Sequence, residues 1–321
     1  MADLLTPDPI LVQLGPIPVY WYGICYALGL IAVYVVVTRE ATRKGLDAGL
    51  VVDAMIVIAI AALIGGRLYH VIDRWDLYAD DWLAIVLPPY TGLGVFGGLL
   101  LGTLVGIGWI KHKRQSVAAW ADVVAPALFA MQAIGRWGNF FNQELYGPPT
   151  GLPWGIPIDC AYRIASYPCA AYPFETTRFH PLFLYESLAA IAGLATLLWL
   201  ARHAASRLRP GDLLGIFFVW YGAVRFALEA LRTENWVVGG VPTAWYFSVG
   251  AVGLGLVILG WNRLRGGPSV AAEDARRLAE RAAGDATGTV ADPPTESAPG
   301  PAPAPDPAPG PIGAEERKER P

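Results

Sequence analysis

Two groups of polar residues, set in an otherwise apolar sequence, have types and spacings that could do chemistry. The first is the stretch 135–147, GRWGNFFNQELYG, which places Arg136, Asn139, Asn142, Gln143 and Glu144 among three glycines directly after the apolar run 123–134. As one straight helix it would carry Arg136, Asn139 and Asn142 on turns that drift around the cylinder, and Gly135 and Gly138 would weaken it. A helix end opening into a loop is therefore expected. The second group is Tyr221, Arg225, Glu229 and Arg232, at i, i+4, i+8 and i+11, which a helix keeps within an arc of about 80°.

Guanidinium groups are permanently charged and present a planar fork of donors, so Arg136 and Arg225 suit bidentate capture of a phosphate. The same face also reads as an interhelical salt-bridge ladder that fixes packing. Both readings stand at the level of spacing. His180, next to Pro181, is either a hydrogen-bonding group at a helix start or a proton acceptor.

These residues need helices to hold them, and the sequence supplies apolar runs at about 19–38, 50–72, 92–110, 116–134, 181–201, 213–231 and 243–261. Each approaches the roughly 20 residues needed to cross a hydrocarbon core. With 321 residues, 54% hydrophobic and only 16% charged, the chain is too apolar for a soluble domain. The fold expected is an all-α integral membrane protein of seven transmembrane helices. The first residues are acidic and proline-punctuated, so no cleavable leader is expected.

Basic clusters follow the first, third, fifth and seventh runs, for example Arg39, Arg43 and Lys44, or Lys111, Lys113 and Arg114. By the positive-inside rule the N-terminus is outside and the C-terminus cytoplasmic. Residues 1–265 form the membrane domain, with an extracytoplasmic head segment at about 143–180 between spans four and five. Residues 266–321, rich in proline and alanine, read as a disordered cytoplasmic tail. Arg67, Arg136, Glu186, Arg225 and Glu229 then all fall toward the outer side. A charge at the bilayer centre costs roughly 2.5–3.5 kcal/mol, so such residues pair or serve a site. Cys160 and Cys169 lie in the oxidising head segment and are candidates for a disulfide, whereas Cys25 reads as a packed apolar residue. The glycines of TGLGVFGGLLLG, at 91–102, are read as close helix packing, with a groove for acyl chains as the alternative.

The motif GRWGNFFNQELYG resembles the signature of the prolipoprotein diacylglyceryl transferase family. It is joined by WYG at 21–23, GGR at 65–67, HPxxxYE at 180–186 and YGxxRFxxExxR at 221–232. The resemblance implies transfer of the diacylglyceryl group of phosphatidylglycerol to the lipobox cysteine thiol of a prolipoprotein, forming a thioether and releasing glycerol 1-phosphate. It implies a multi-pass protein of the bacterial plasma (inner) membrane with its site facing the extracytoplasmic leaflet. The partners would be phosphatidylglycerol, prolipoprotein signal peptides and the lipid bilayer, with no nucleic acid, cofactor or metal. Arg136 and Arg225 would be catalytic. Arg136, Asn139, Glu144, Gly147, Tyr22, Tyr221, Glu229 and Arg232 would bind substrate.

One departure stands out. Many members carry a histidine before the Gly-Gly pair of the third span, where this chain has Phe96 before Gly97 and Gly98. Without it, His180, Glu144, Glu229 and the leaving phosphate are the candidate proton acceptors. A transporter or channel for an anionic substrate is the competing class, because buried arginines and broken helices also line transport paths. No internal repeat is visible in the motif spacing.

Overall fold

A computed structural model describes residues 6–79, 82–85, 92–233 and 236–288. The helices are α1 (Trp21–Arg43), α2 (Leu50–Asp73), α3 (Val95–His112), α4 (Val117–Phe141), α5 (Leu182–His203), α6 (Asp212–Glu229), α7 (Thr243–Arg265) and α8 (Val270–Gly288). The chain divides into a unit to Arg281 and a second from Ala282. Within the first unit α1 packs on α4, α2 on α3, α4 on α5 and α6 on α7. The apolar window of α4 is 56% buried against 11% for those of α3 and α7. Thus α4 is the axis of the bundle, and the outer helices turn leucines, isoleucines and valines outward, as a lipid-facing surface requires.

Among the described residues, six helices are long and apolar enough to cross a membrane. The expectation of seven rested on α6 as well. It forms as a helix, but Asp212, Arg225 and Glu229 lie within its eighteen residues, so it has no eighteen-residue stretch with fewer than three charges, which each of the longer α1 and α2 does have. The all-α expectation is corrected by two short hairpins. Strands β1 (Ile10–Leu14) and β2 (Ile17–Tyr20) pair antiparallel across Gly15 and Pro16, with Leu14 opposite Ile17. Gly15 at φ 61° supplies the left-handed first position of a two-residue turn. Strands β3 (Val237–Val238) and β4 (Val241–Pro242) flank Gly239 and Gly240, at φ 60° and 80°, the double left-handed geometry that only glycine adopts freely.

Helix α8 is a second correction, since it occupies part of what the sequence suggests is a disordered tail. Residues 289–321, the remainder of that expected tail, lie outside the described residues. The amide of Val270 bonds the Leu208 carbonyl at 2.8 Å and that of Ala271 the Ala205 carbonyl at 3.1 Å. Farther along, Arg277 Nε donates to the Lys44 carbonyl at 3.0 Å and Arg281 to the Leu46 carbonyl at 2.8 Å. One helix thus ties the loop after α1 to the loop after α5. Beneath it Lys44 is 1% exposed. Burial pulls its ammonium below the usual lysine range, opposed by the nearby carboxylates of Asp122 and Asp274. Asp122 also accepts the amides of Gly211 and Leu213, both at 2.9 Å, fixing the start of α6 against α4.

The glycine-rich third span packs against α2. A Cβ on Gly97 would lie 2.2 Å from the Gly65 carbonyl oxygen, and one on Gly65 would lie 2.4 Å from that of Gly97. The two backbones touch at this crossing, which favours close packing over an acyl groove. The head segment between α4 and α5 is irregular, and a disulfide joins Cys160 to Cys169 within it. Its small core holds Tyr146, Ile156, Ile158, Phe179 and Phe183.

Candidate active site

The opening motif ends a helix as its glycines and amides suggest. Helix α4 runs to Phe141, and the chain then turns through Gln143 and Leu145 at φ 52° and 54°. Glu144 is folded back onto the helix end, where its Oε1 accepts from Asn139 Nδ2 at 2.8 Å and from Asn142 Nδ2 at 3.3 Å. Gln143 is 4% exposed and holds two neighbours. It donates to the Pro7 carbonyl at 3.2 Å and accepts the Asp159 amide at 2.8 Å, pinning the N-terminal segment and the head segment to one helix end. The Tyr22 ring lies against Gly138, where an added Cβ would fall 2.7 Å from Cδ2. Its hydroxyl is within electrostatic reach of Glu144 and Arg136.

Three helices contribute the charges. Arg136 lies near the end of α4, Glu186 in the first turns of α5, Arg225 and Glu229 at the end of α6, and Arg232 just beyond. Arg136 Nε pairs with Glu186 Oε2. The other oxygen of Glu186 takes Arg232 Nη2 at 2.9 Å. Glu229 Oε2 pairs with Arg225 Nη1 and lies 4.0 Å from Arg232 Nε. The result is a continuous ladder, Arg136–Glu186–Arg232–Glu229–Arg225, whose two carboxylate side chains are only 9% and 2% exposed. Ser187 Oγ donates to the Ala133 carbonyl at 2.7 Å, and Trp220 Nε1 to the Ala189 carbonyl at 3.0 Å. Those bonds lock α5 to α4 and α6 beside the ladder.

The ladder edges a small, partly open cavity lined by the polar Gln132, Arg136, Glu186, Tyr221 and Arg225 and the apolar Phe129, Trp220 and Val224. Glu186 engages Arg136 by its Nε, which leaves the pair of terminal nitrogens of that guanidinium for another acceptor. Glu229 engages Arg225 by one terminal nitrogen, leaving the Nε edge. Two guanidiniums on one cavity, each with an edge that no carboxylate uses, are the donor set that suits a phosphate.

Of the residues singled out from sequence, Arg136, Tyr221 and Arg225 meet at this cavity, with Glu229 and Arg232 behind it in the ladder. Asn139 and Glu144 bond each other at the end of α4. Gly147 sits where the loop threads between α5 and α6: its amide donates to the His180 carbonyl at 2.9 Å. A Cβ there would lie 2.9 Å from His180 Cβ and 3.1 Å from the Leu231 carbonyl oxygen. His180 Nδ1 is 3.0 Å from the Tyr185 hydroxyl, which also accepts Trp154 Nε1 at 2.9 Å. Arg67 is not brought to the ladder. Its guanidinium donates to the Ile85 carbonyl at 3.0 Å and the Ala84 carbonyl at 2.6 Å and lies over the Tyr78 ring. Phe96 stacks on Phe247 of α7 with centroids 5.4 Å apart, an apolar contact with no group that could accept a proton. Sequence reasoning counted Glu186 among the costly charges inside apolar runs but assigned it no individual role at the site.

Residues 9–261 match the family described as prolipoprotein diacylglyceryl transferase. Among relatives bearing the name phosphatidylglycerol–prolipoprotein diacylglyceryl transferase, that of Bifidobacterium adolescentis is 35% identical over 73% of this chain and 72% of its own. The one from Halalkalibacterium halodurans is 36% identical over 82% of this chain and 89% of its own, and that of Nostoc sp. is 36% identical over 84% and 94%. The match spans every helix that carries the ladder and its cavity, and the chain belongs to the prolipoprotein diacylglyceryl transferase family.

Proposed function

We propose that this protein transfers the diacylglyceryl group of phosphatidylglycerol to the cysteine thiol of a prolipoprotein lipobox. The observation that carries the reading is the placement of Arg136 and Arg225 on one cavity among helices whose outer faces are apolar. The substrate thiolate attacks the glyceryl carbon bearing the phosphodiester. A C–S bond forms, the C–O bond breaks, and its electron pair leaves on the phosphate oxygen of glycerol 1-phosphate. Charge grows on that phosphate, and two preoriented guanidiniums stabilise it more than they stabilise the diester.

The thiol must lose its proton, since the thiolate is the nucleophile. Glu229 is engaged by Arg225, Glu144 by two side-chain amides, and His180 Nδ1 faces Tyr185. That pattern favours the leaving phosphate as the first proton acceptor, and the monoester then gives that proton up to water, since its second pKa near 6 lies below pH 7. In this reading Asn139, Glu144, Gly147 and Tyr22 shape the wall below the head segment.

The protein is read here as a bacterial inner-membrane protein with α6 as a seventh span, its N-terminus outside, and the ladder toward the extracytoplasmic leaflet. In support, Lys111, Lys113, Arg114, Arg202 and Arg263 cluster at the ends of α3, α5 and α7, the side that the positive-inside rule assigns to the cytoplasm. No observation favours the transporter reading. Purified protein in detergent, given phosphatidylglycerol labelled in its acyl chains and a lipobox peptide, should yield a diacylglyceryl thioether and equimolar glycerol phosphate by mass spectrometry. Absence of both products from folded protein contradicts the proposal.

A further inference from the structure

Glu186 takes no part in the bond making and breaking of the transfer, yet it lines the cavity beside the two arginines. Its side chain is 9% exposed, and both of its oxygens are used, one on Arg136 and one on Arg232. If packing alone were required, a carboxylate facing a phosphate cavity would be a poor choice. It repels the anion that the arginines attract.

The repulsion becomes informative when the two anions of the reaction are compared. A phosphodiester such as phosphatidylglycerol carries one negative charge, whereas a phosphate monoester has a second pKa near 6 and carries about −1.5 to −2 at pH 7. Coulomb energy scales with charge, so a fixed carboxylate disfavours the monoester nearly twice as strongly as the diester. We propose that Glu186 is a positioning residue with a second task. It holds the Nε edge of Arg136 so that the terminal nitrogens face the phosphate, and its charge discharges glycerol phosphate after the C–O bond has broken. This rests on the proposed transferase reading, which supplies the two anions. Glu186 thereby narrows the advantage that the arginines give the doubly charged product over the singly charged diester.

The test uses the whole protein in detergent and two soluble probes, the deacylated diester glycerophosphoglycerol and glycerol 1-phosphate. Titration calorimetry on the wild type gives the ratio of the two affinities against which the variants are read. In Glu186→Gln the ratio of the two affinities should move toward the monoester by about tenfold, and glycerol 1-phosphate should become the stronger inhibitor of transfer. Glu186→Asp, which keeps the charge, should retain the wild-type preference. An unchanged ratio in folded Glu186→Gln overturns the proposal, as does a variant that loses activity only by melting earlier. Calorimetry reads binding whether or not thioether is made. A ratio that moves in Glu186→Gln while the wild type forms no thioether refutes the transferase reading and leaves only the charge effect of Glu186 on the two anions.

Discussion

Each arginine on the cavity is held by one edge and offers the other, and this division of labour makes the residue-scale predictions sharp. Arg136→Ala or Arg225→Ala should lower the turnover of thioether formation by about 10²–10³-fold, the usual cost of losing one preorganised donor, with a normal melting profile checked alongside. Arg136→Lys should recover little, because an ammonium cannot bridge Glu186 and a phosphate in one plane. His180→Ala should retain activity to within about tenfold, since a true general base contributes 10²–10⁴-fold; a larger loss in folded protein returns His180 to the chemistry. Arg136 and Arg225 were legible in the sequence because charges inside apolar runs are costly and both belong to spaced motifs. The partnership of Arg136 with Glu186 was not, because it joins positions 50 residues apart on different helices, and no local period encodes which helix faces come together. Gln143 was noticed as a polar residue, but its grip on Pro7 and Asp159 depends on where two irregular segments pass.

At the scale of elements, two contacts hold helices and loops of the bundle together. Gly97 and Gly65 let α2 and α3 meet backbone to backbone, so Gly97→Ala should push them apart and cost about 1–3 kcal/mol, read as a lower midpoint of thermal unfolding in detergent. At the other end α8 bridges the loops after α1 and α5 through Arg277 and Arg281. Arg277→Ala also strips a partner from Glu273 and Asp274, and a lower melting temperature with greater reactivity of Lys44 toward amine reagents is the expected result. An unchanged melt and a protected Lys44 would show that α8 is dispensable. Every helix that carries a site residue was anticipated from hydropathy. The sequence signal for α8 was masked by its alanines and mixed charges, which look like tail composition when the surface they dock on is unseen. The two hairpins were hidden for a related reason: each is a short apolar run around a Gly-Pro or Gly-Gly turn, and beside a span such a run merges with the span itself.

The unit to Arg281 is a bundle whose central helix is buried and whose outer helices turn apolar faces outward, with charge clusters at both ends. One end carries the ladder and its cavity, the other the loops rich in lysine and arginine. Over the head segment the disulfide between Cys160 and Cys169 closes a short loop, and its reduction should destabilise that segment by roughly 2–3 kcal/mol on chain-entropy grounds, visible as faster proteolysis there. The central claim is that Arg136 and Arg225 act on one phosphate. Its most direct test is a double-mutant cycle on the rate of thioether formation from phosphatidylglycerol and a lipobox peptide, using Arg136→Ala, Arg225→Ala and the pair. Groups that act as a unit are non-additive, so the double variant should be barely slower than the slower single one. Near wild-type transfer by either folded single variant, or strictly multiplicative losses in the pair, would contradict the account.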